Sequence, residues 1–286
     1  MNITEVKQIL EQYNVSVKKQ FGQNFLMDNS IINRICDISL ITKDINVIEI
    51  GPGLGFLTEQ LKERANKVLC YEIDSEMVKV ITNRFENDTN VIVKYQDFLK
   101  ANIDKDIENI FNDDKKVIVV ANLPYYITTA ILIKILEESK YIKQMTVMMQ
   151  LEVADRICGK PSTKDYNSLS VLMQYYTNCK LSIKVPAKSF YPEPNVDSAV
   201  VLIKHKETIE HRALDETYFK KFNRIVFAQR RKTIVNNLKT GFGYPKELIE
   251  QILNKNNLSL TIRTEALSVD EIVTLANDFY LALKKE

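Results

Sequence analysis

Two kinds of apolar pattern alternate along this chain. Short runs of β-branched and aliphatic residues at 46–50, 67–71, 91–95 and 117–121 read as strands of a parallel sheet buried on both faces. Between them the apolar positions recur every three or four residues, as on one face of a helix. One such stretch runs from Phe56 to Leu61. A second opens at Asp74-Ser75 and carries Met77, Val78, Val80, Ile81 and Phe85; a third opens at Thr128-Thr129 and carries Ile131, Leu132, Ile135 and Leu136. Strand–helix alternation of this kind predicts an α/β domain with a parallel sheet. Ahead of it, Val6, Ile9, Leu10 and Tyr13 mark a short amphipathic helix, and Asp28 is placed to cap a helix carrying Ile31, Ile32, Ile35 and Ile38. Beyond it, strands are expected at 144–149, 180–185 and 199–204, with short helices at 151–156 and 168–176. From roughly Glu207 the pattern changes to charged helices without strands. Two domains are therefore expected, residues 1–206 and a smaller helical one at 207–286, with no internal repeats or low-complexity tracts.

Composition narrows the picture. A length of 286 residues with 45% apolar and 27% charged residues fits a globular protein of about two domains. The net charge is only +2, so a nucleic-acid surface has to come from local clustering. Residues 216–240 supply such a cluster: seven cations, among them Arg224, Arg230, Arg231 and Lys232, against the single anion Glu216. Solvated helix and phosphate-binding face are both open to such a run. Cys36, Cys70, Cys158 and Cys179 form no C-x-x-C pair, and His205 and His211 stand in a polar stretch and read as solvated. Neither set predicts a metal site or a disulfide framework. Glu5, Lys7 and Glu11 break up the N-terminus, and no apolar run approaches a membrane span, so a cytoplasmic chain with no membrane partner is expected.

The candidate chemistry collects at the strand ends. The first strand runs into Gly51-Pro52-Gly53-Leu54-Gly55, a turn whose lack of Cβ atoms lets the backbone approach a ligand. Glu72 ends the second strand, where a ribose hydroxyl pair is gripped in nucleotide-binding α/β folds. Asp97 follows the third, placed either to accept from an adenine amine or simply to cap a turn. Glu49, Glu72, Asp97 and Asn122 are spaced 23 to 25 residues apart, one β–α unit each time. A dinucleotide would want G-x-G-x-x-G and a pyrophosphate on the helix N-terminus. Here the third glycine comes one place early and Glu49 precedes the turn. A carboxylate there repels a pyrophosphate but suits the ammonium and sulfonium of S-adenosylmethionine. A nicotinamide dehydrogenase is further disfavoured because the first domain offers no catalytic histidine.

Asn122-Leu123-Pro124-Tyr125 closes the fourth strand. Pro124 cannot continue a sheet ladder, so the chain turns there, at the end of an α/β sheet where ligands bind. The set suits methyl transfer to a flat exocyclic amine. The Asn122 side-chain oxygen and the Leu123 carbonyl would accept from its N–H groups and favour a pyramidal nitrogen. They would also stabilise the positive charge of the transition state. Pro124 pre-sets the backbone, and Tyr125 would stack on the ring, worth roughly 1–3 kcal/mol. An ordinary turn after a buried strand is the other reading. Phe190, in the proline-rich loop 190–198, either stacks on the opposite face of the same base or anchors its loop in the core. The polar loop 18–26 is either a connector or a lid whose Lys18 and Lys19 meet phosphates.

With these residues assembled, the chain resembles the ribosomal RNA adenine N6-dimethyltransferases, in particular the bacterial small-subunit (16S) members. The resemblance covers nearly the whole length and rests on residues 18–26, 48–55, 122–129, 149–154, 190–198 and 227–233. It implies a Rossmann-like seven-stranded S-adenosylmethionine-dependent methyltransferase sheet with a smaller C-terminal all-helical domain that docks on RNA. It implies cofactor contacts at Asn24, Leu26, Gly51, Glu72, Asp97 and Asn122, to which the motif reading adds Glu49, Gly53 and Gly55. It also implies dimethylation of two adjacent adenines in a hairpin loop near the 3′ end of 16S rRNA by a monomer acting on the immature small subunit. Phe21 and Ala121 depart from the usual leucine and glycine without touching the chemistry. The related large-subunit methyltransferases usually carry isoleucine where Leu123 stands and lack Arg230-Arg231-Lys232 in this form. An RNA-binding assembly factor whose methylation is dispensable is the alternative from another class.

Overall fold

The computed structural model describes residues 3–18 and 22–284. In chain order the elements are α1 (Ile3–Gln12), β1 (Phe25–Leu26), α2 (Asn29–Ser39), β2 (Ile45–Ile50), α3 (Phe56–Arg64), β3 (Val68–Glu72), α4 (Ser75–Arg84) and β4 (Val91–Tyr95). There follow α5 (Ile103–Asp106), β5 (Lys116–Asn122), α6 (Thr128–Glu138), β6 (Ile142–Gln150), α7 (Leu151–Ile157) and α8 (Ser168–Tyr176). The chain continues through β7 (Thr177–Val185), β8 (Phe190–Tyr191), β9 (Ser198–His205), α9 (Glu216–Val226), α10 (Ile234–Phe242), α11 (Lys246–Lys255) and α12 (Val269–Leu283).

Seven strands form one sheet in the order β4-β3-β2-β5-β6-β9-β7, and β1 pairs with β8 in a separate two-stranded ribbon. The pairings from β4 to β6 are parallel, and β9 runs antiparallel to β6. The strands from β2 to β4 step one way across the sheet, whereas β5 and β6 step the other way. The order therefore reverses between β2 and β5, which register Val47 with Ile118 and Ile48 with Val119. In an open α/β sheet a reversal of this kind leaves a crevice at the carboxyl ends of the two strands. The runs at 46–50 and 117–121 become its two central strands because both faces are apolar: Val47, Ile48, Val119 and Val120 are all fully buried. Asp28 caps α2 through the amides of Ser30 and Ile31, and Asp74 caps α4 through that of Glu76, as expected of short acidic N-caps.

The chain divides into two compact units, residues 1–154 with 180–205, and residues 155–179 with 206–286. The expected single cut at 206/207 is thus corrected for residues 155–179, which belong with the helical unit. The reason is packing: Tyr166, Val171 and Tyr175 share a core with Phe219, Phe222 and Phe279, and the Asn223 side chain donates to the Ser168 carbonyl at 2.8 Å. His205 is also corrected, since it is half-buried with no partner for Nε2 among the described residues, and burial lowers its pKa. None of the four cysteines is in a disulfide, and no cluster of metal-binding side chains occurs among the described residues. No described helix is long and apolar enough to cross a membrane.

Candidate active site

The crevice at the reversal is lined from the ends of β2, β3, β4 and β5 and from the loop before β1. Glu49, Gly51, Gly53, Glu72, Asp97 and Asn122 all line it, as do Asn24 and Leu26. Residues scattered over a hundred positions meet there because each parallel strand delivers its last side chain to the same edge of the sheet.

The glycine turn is backbone-strained for any other residue at Gly53, where φ is +58° and an added Cβ would stand 2.9 Å from the Phe25 ring. Its N–H donates to Glu72 Oε2 at 3.3 Å, so turn and carboxylate hold one another. Glu72 also accepts from the amides of Ile73 and Asp74 through Oε1, at 2.8 and 2.9 Å. Burial raises its pKa against those hydrogen bonds. Gly55 does not line the crevice. It begins α3 at φ +82°, and a Cβ there would lie 2.7 Å from both Ile81 and Phe85, so its part is packing the turn on α4 rather than touching a ligand.

Glu49 is 1% exposed. Its Oε2 accepts from the Thr58 hydroxyl at 2.6 Å and faces the Cys70 thiol at 3.7 Å, in the register that pairs Glu49 with Cys70 across β2 and β3. Burial pushes its carboxyl up to about 8. Asp97 uses Oδ1 to accept from the Leu99 amide at 2.9 Å, so it caps a turn and lines the crevice at once.

Asn122 leaves the sheet with its side chain oriented by a neighbour. Nδ2 donates to the Asn24 carbonyl at 3.1 Å, which leaves Oδ1 as the acceptor end of the amide; a carbonyl partner admits only that flip. Leu123 prolongs the β5–β6 ladder by one bond, its N–H to the Met148 carbonyl at 3.0 Å, and Pro124 ends it. The Pro124 carbonyl then accepts from Thr128 Oγ1 at 3.0 Å, closing the turn into α6. Tyr125 is half-buried in the crevice wall, its hydroxyl 2.6 Å from Ser198 Oγ, and burial raises its pKa.

Not every expected contact is here. Phe190 is 2% exposed and outside the crevice lining, because the β1–β8 register sets it against Leu26 and turns its ring into the core. The stacking role is therefore corrected to that of core anchor. Lys18 directs its ammonium to Asp74 at 2.7 Å and Glu76 at 3.1 Å, charges that compete with any phosphate. Lys19 lies outside the described residues. In the helical unit Arg224, Arg231 and Lys232 are exposed, the last two on the turn between α9 and α10 rather than on a helix. Arg230 is engaged by Glu265 at 2.9 Å and the Thr163 carbonyl at 3.3 Å.

Sequence reading missed Thr58, Ser198 and the crevice-lining Tyr126. Thr58 left a faint signal, as a polar residue amid Phe56, Leu57 and Leu61; Ser198 left none, since its partner is 73 residues away.

Comparison with known proteins gives concordant matches. A family model described as ribosomal RNA adenine dimethylase matches residues 14–277. The chain is 45% identical over 280 residues to ribosomal RNA small subunit methyltransferase A of Bacillus pumilus, covering 97% of this chain and 96% of that one. It is 45% identical over 278 residues to the protein of the same name from Bacillus mycoides, covering 96% and 95%. Among solved structures, a dimethyladenosine transferase from Plasmodium falciparum superposes with a TM-score of 0.76 at 24% identity, covering 91% of this chain and 98% of that one. The 23S rRNA methyltransferase ErmE superposes with a TM-score of 0.68 at 26% identity, covering 89% and 99%.

Proposed function

The chain belongs to the ribosomal RNA adenine dimethylase family, and from that premise we propose that it dimethylates N6 of two adjacent adenines in a hairpin loop near the 3′ end of 16S rRNA. The substrate is the immature small subunit, met by a monomer in the cytoplasm. The name carried by relatives at 45% identity supports the small subunit over the large one.

S-adenosylmethionine, when bound, supplies an electrophilic methyl group on a cationic sulfur. The crevice fits such a molecule. Glu49 is a buried carboxyl whose near neighbours are a hydroxyl and a thiol, a place that a ligand cation would complete. The glycine turn leaves open the space that a Cβ would fill beside Phe25. Glu72 would hold the ribose hydroxyls, Asp97 the adenine amine, and Asn24 and Leu26 would close over them.

The observation that carries the reading is the orientation of Asn122. With Nδ2 committed to Asn24, Oδ1 is an acceptor fixed before any substrate arrives. An adenine amine is a weak nucleophile because its lone pair is spread into the ring. Asn122 Oδ1 and the Leu123 carbonyl accept from its two hydrogens, localise the lone pair, and stabilise the positive charge that grows on nitrogen. Tyr125, held by Ser198, offers its ring to the base. The target base leaves its stack at a cost of a few kcal/mol, least in an irregular loop. Its proton departs after the methyl is in place, so positioning supplies most of the acceleration.

The test is mass-spectrometric mapping of methylated adenines on unmodified small subunits treated with the protein and S-adenosylmethionine. Two adjacent dimethyladenines in one 3′ loop are expected; unmodified adenines throughout would overturn the proposal. If an Asn122→Ala protein that methylates nothing still matured subunits fully, the assembly role would stand as the principal one.

A further inference from the structure

Leu54 stands at the heart of the glycine turn between two residues of positive φ, Gly53 at +58° and Gly55 at +82°, and its carbonyl belongs to the Leu54–Gly55 peptide. A peptide next to glycine rotates easily, because no Cβ opposes either sign of φ. Here it is held at both ends. The Gly55 N–H donates to the Pro52 carbonyl at 3.0 Å, and the Leu54 carbonyl accepts from Nη1 of Arg84, the last residue of α4. Leu54 itself lines the crevice, whereas the guanidinium that meets its carbonyl lies outside the lining.

The guanidinium is itself tightly placed. It lies 5.5 Å from the centroid of Phe56 and 5.5 Å from that of Phe85, and its side chain is 21% exposed. The nearest carboxylate, Glu59, stands at 3.8 Å, beyond a good hydrogen bond. Burial lowers the pKa of the guanidinium, and a partly desolvated charge makes the stronger hydrogen bond. The same Phe85 ring would meet a Cβ on Gly55 at 2.7 Å, so ring, guanidinium and turn form one packed unit.

We infer that Arg84 is a positioning residue for the cofactor. By gripping the Leu54 carbonyl it keeps the Leu54–Gly55 peptide from rotating, and so holds the glycine turn in the shape that the cofactor would meet. The inference rests on the reading of S-adenosylmethionine as the cofactor. Arg84 touches neither ligand nor substrate, and its effect falls on binding rather than on the methyl-transfer step.

The experiment is calorimetric titration of the full-length protein with S-adenosylhomocysteine, together with amide spectra of Gly53 and Gly55. Arg84→Met keeps the apolar stem and removes the donor. It is expected to weaken binding about tenfold, the loss of one charge-assisted hydrogen bond. Its Gly53 and Gly55 amide signals are expected to broaden or double, and turnover at saturating S-adenosylmethionine to stay within about twofold. Arg84→Lys, which restores a cationic donor, should recover part of the affinity. Lys62→Met controls for general loosening of the same patch: Lys62 sits 5.2 Å from the Phe85 centroid and pairs with Glu59 and Asp88, but donates nothing to the turn. It should lose stability and keep affinity. Wild-type affinity in Arg84→Met, or an equal loss in Lys62→Met, would overturn the inference. A wild-type protein that binds neither S-adenosylhomocysteine nor S-adenosylmethionine would overturn the cofactor reading beneath it.

Discussion

Burial places the Glu49 carboxyl at about 8 against an ordinary 4.5, with only a hydroxyl and a thiol to offset it. Between those two values the folded protein keeps a proton that the unfolded chain releases. This group's contribution to stability is therefore complete below about 4.5 and is lost as pH rises through about 8. A bound cation reverses the preference and expels the proton. Cofactor affinity is accordingly expected to rise with pH up to about 8, with proton release seen by calorimetry in buffers of different ionisation enthalpy. Glu49→Gln should bind more weakly and flatten the profile; an unflattened one would remove Glu49 from cofactor binding. Asn122 answers to kinetics. Asn122→Ala is expected to cut the single-turnover rate roughly 10²-fold, as for loss of one transition-state partner. An unchanged rate would take it out of the mechanism. At this scale the sequence announced the residues but not their states. Glu49 and Asn122 could be named from their places at strand ends, whereas protonation and amide orientation depend on Thr58, Cys70 and Asn24, which strand patterns do not reveal.

Asp74 shows how one side chain serves two elements. It caps α4 by accepting from the Glu76 amide, and it holds the loop before β1 through Lys18 at 2.7 Å and Gln23 at 2.9 Å. Asp74→Ala should cost about 1 kcal/mol for the cap alone, measured by denaturant unfolding, and release the Lys18 and Gln23 side chains. Asp74→Asn keeps a capping oxygen but loses the ion pair with Lys18, so it should retain most of the stability. Equal unfolding free energies of wild type and Asp74→Ala would mean that Asp74 does not cap α4. Caps and long strands were legible because their signals are local. The β1–β8 ribbon was not: two residues have no period, and Leu26 meets Phe190 only through the fold. The helical segment around 103–111 was equally silent, since α5 passes into a π-helical turn, Ile107–Phe111, that blurs the 3.6-residue repeat.

For the molecule as a whole, the net charge is only +2, yet residues 216–240 of the helical unit carry seven cations against the single anion Glu216. Arg224, Arg231 and Lys232 are exposed, whereas Arg230 is partly committed to Glu265. Replacing the first three with alanine should lower the salt dependence of RNA binding by about 2 to 3 in log–log slope, near 0.7–0.9 per phosphate contact. Replacing Arg230 alone should lower it less and also loosen its own turn. A wild-type slope in the triple variant would remove this face from RNA docking.

Alternating periods, strand-end acids and the motif set were enough to establish the α/β class, the helical C-terminal region and the family. Each of these is written in residues close together in the chain. Folding alone decided that Phe190 is core, that Lys18 faces carboxylates, that Gly55 packs instead of binding, and that residues 155–179 join the helical unit. Burial and partnership are relations between distant residues, and only packing creates them.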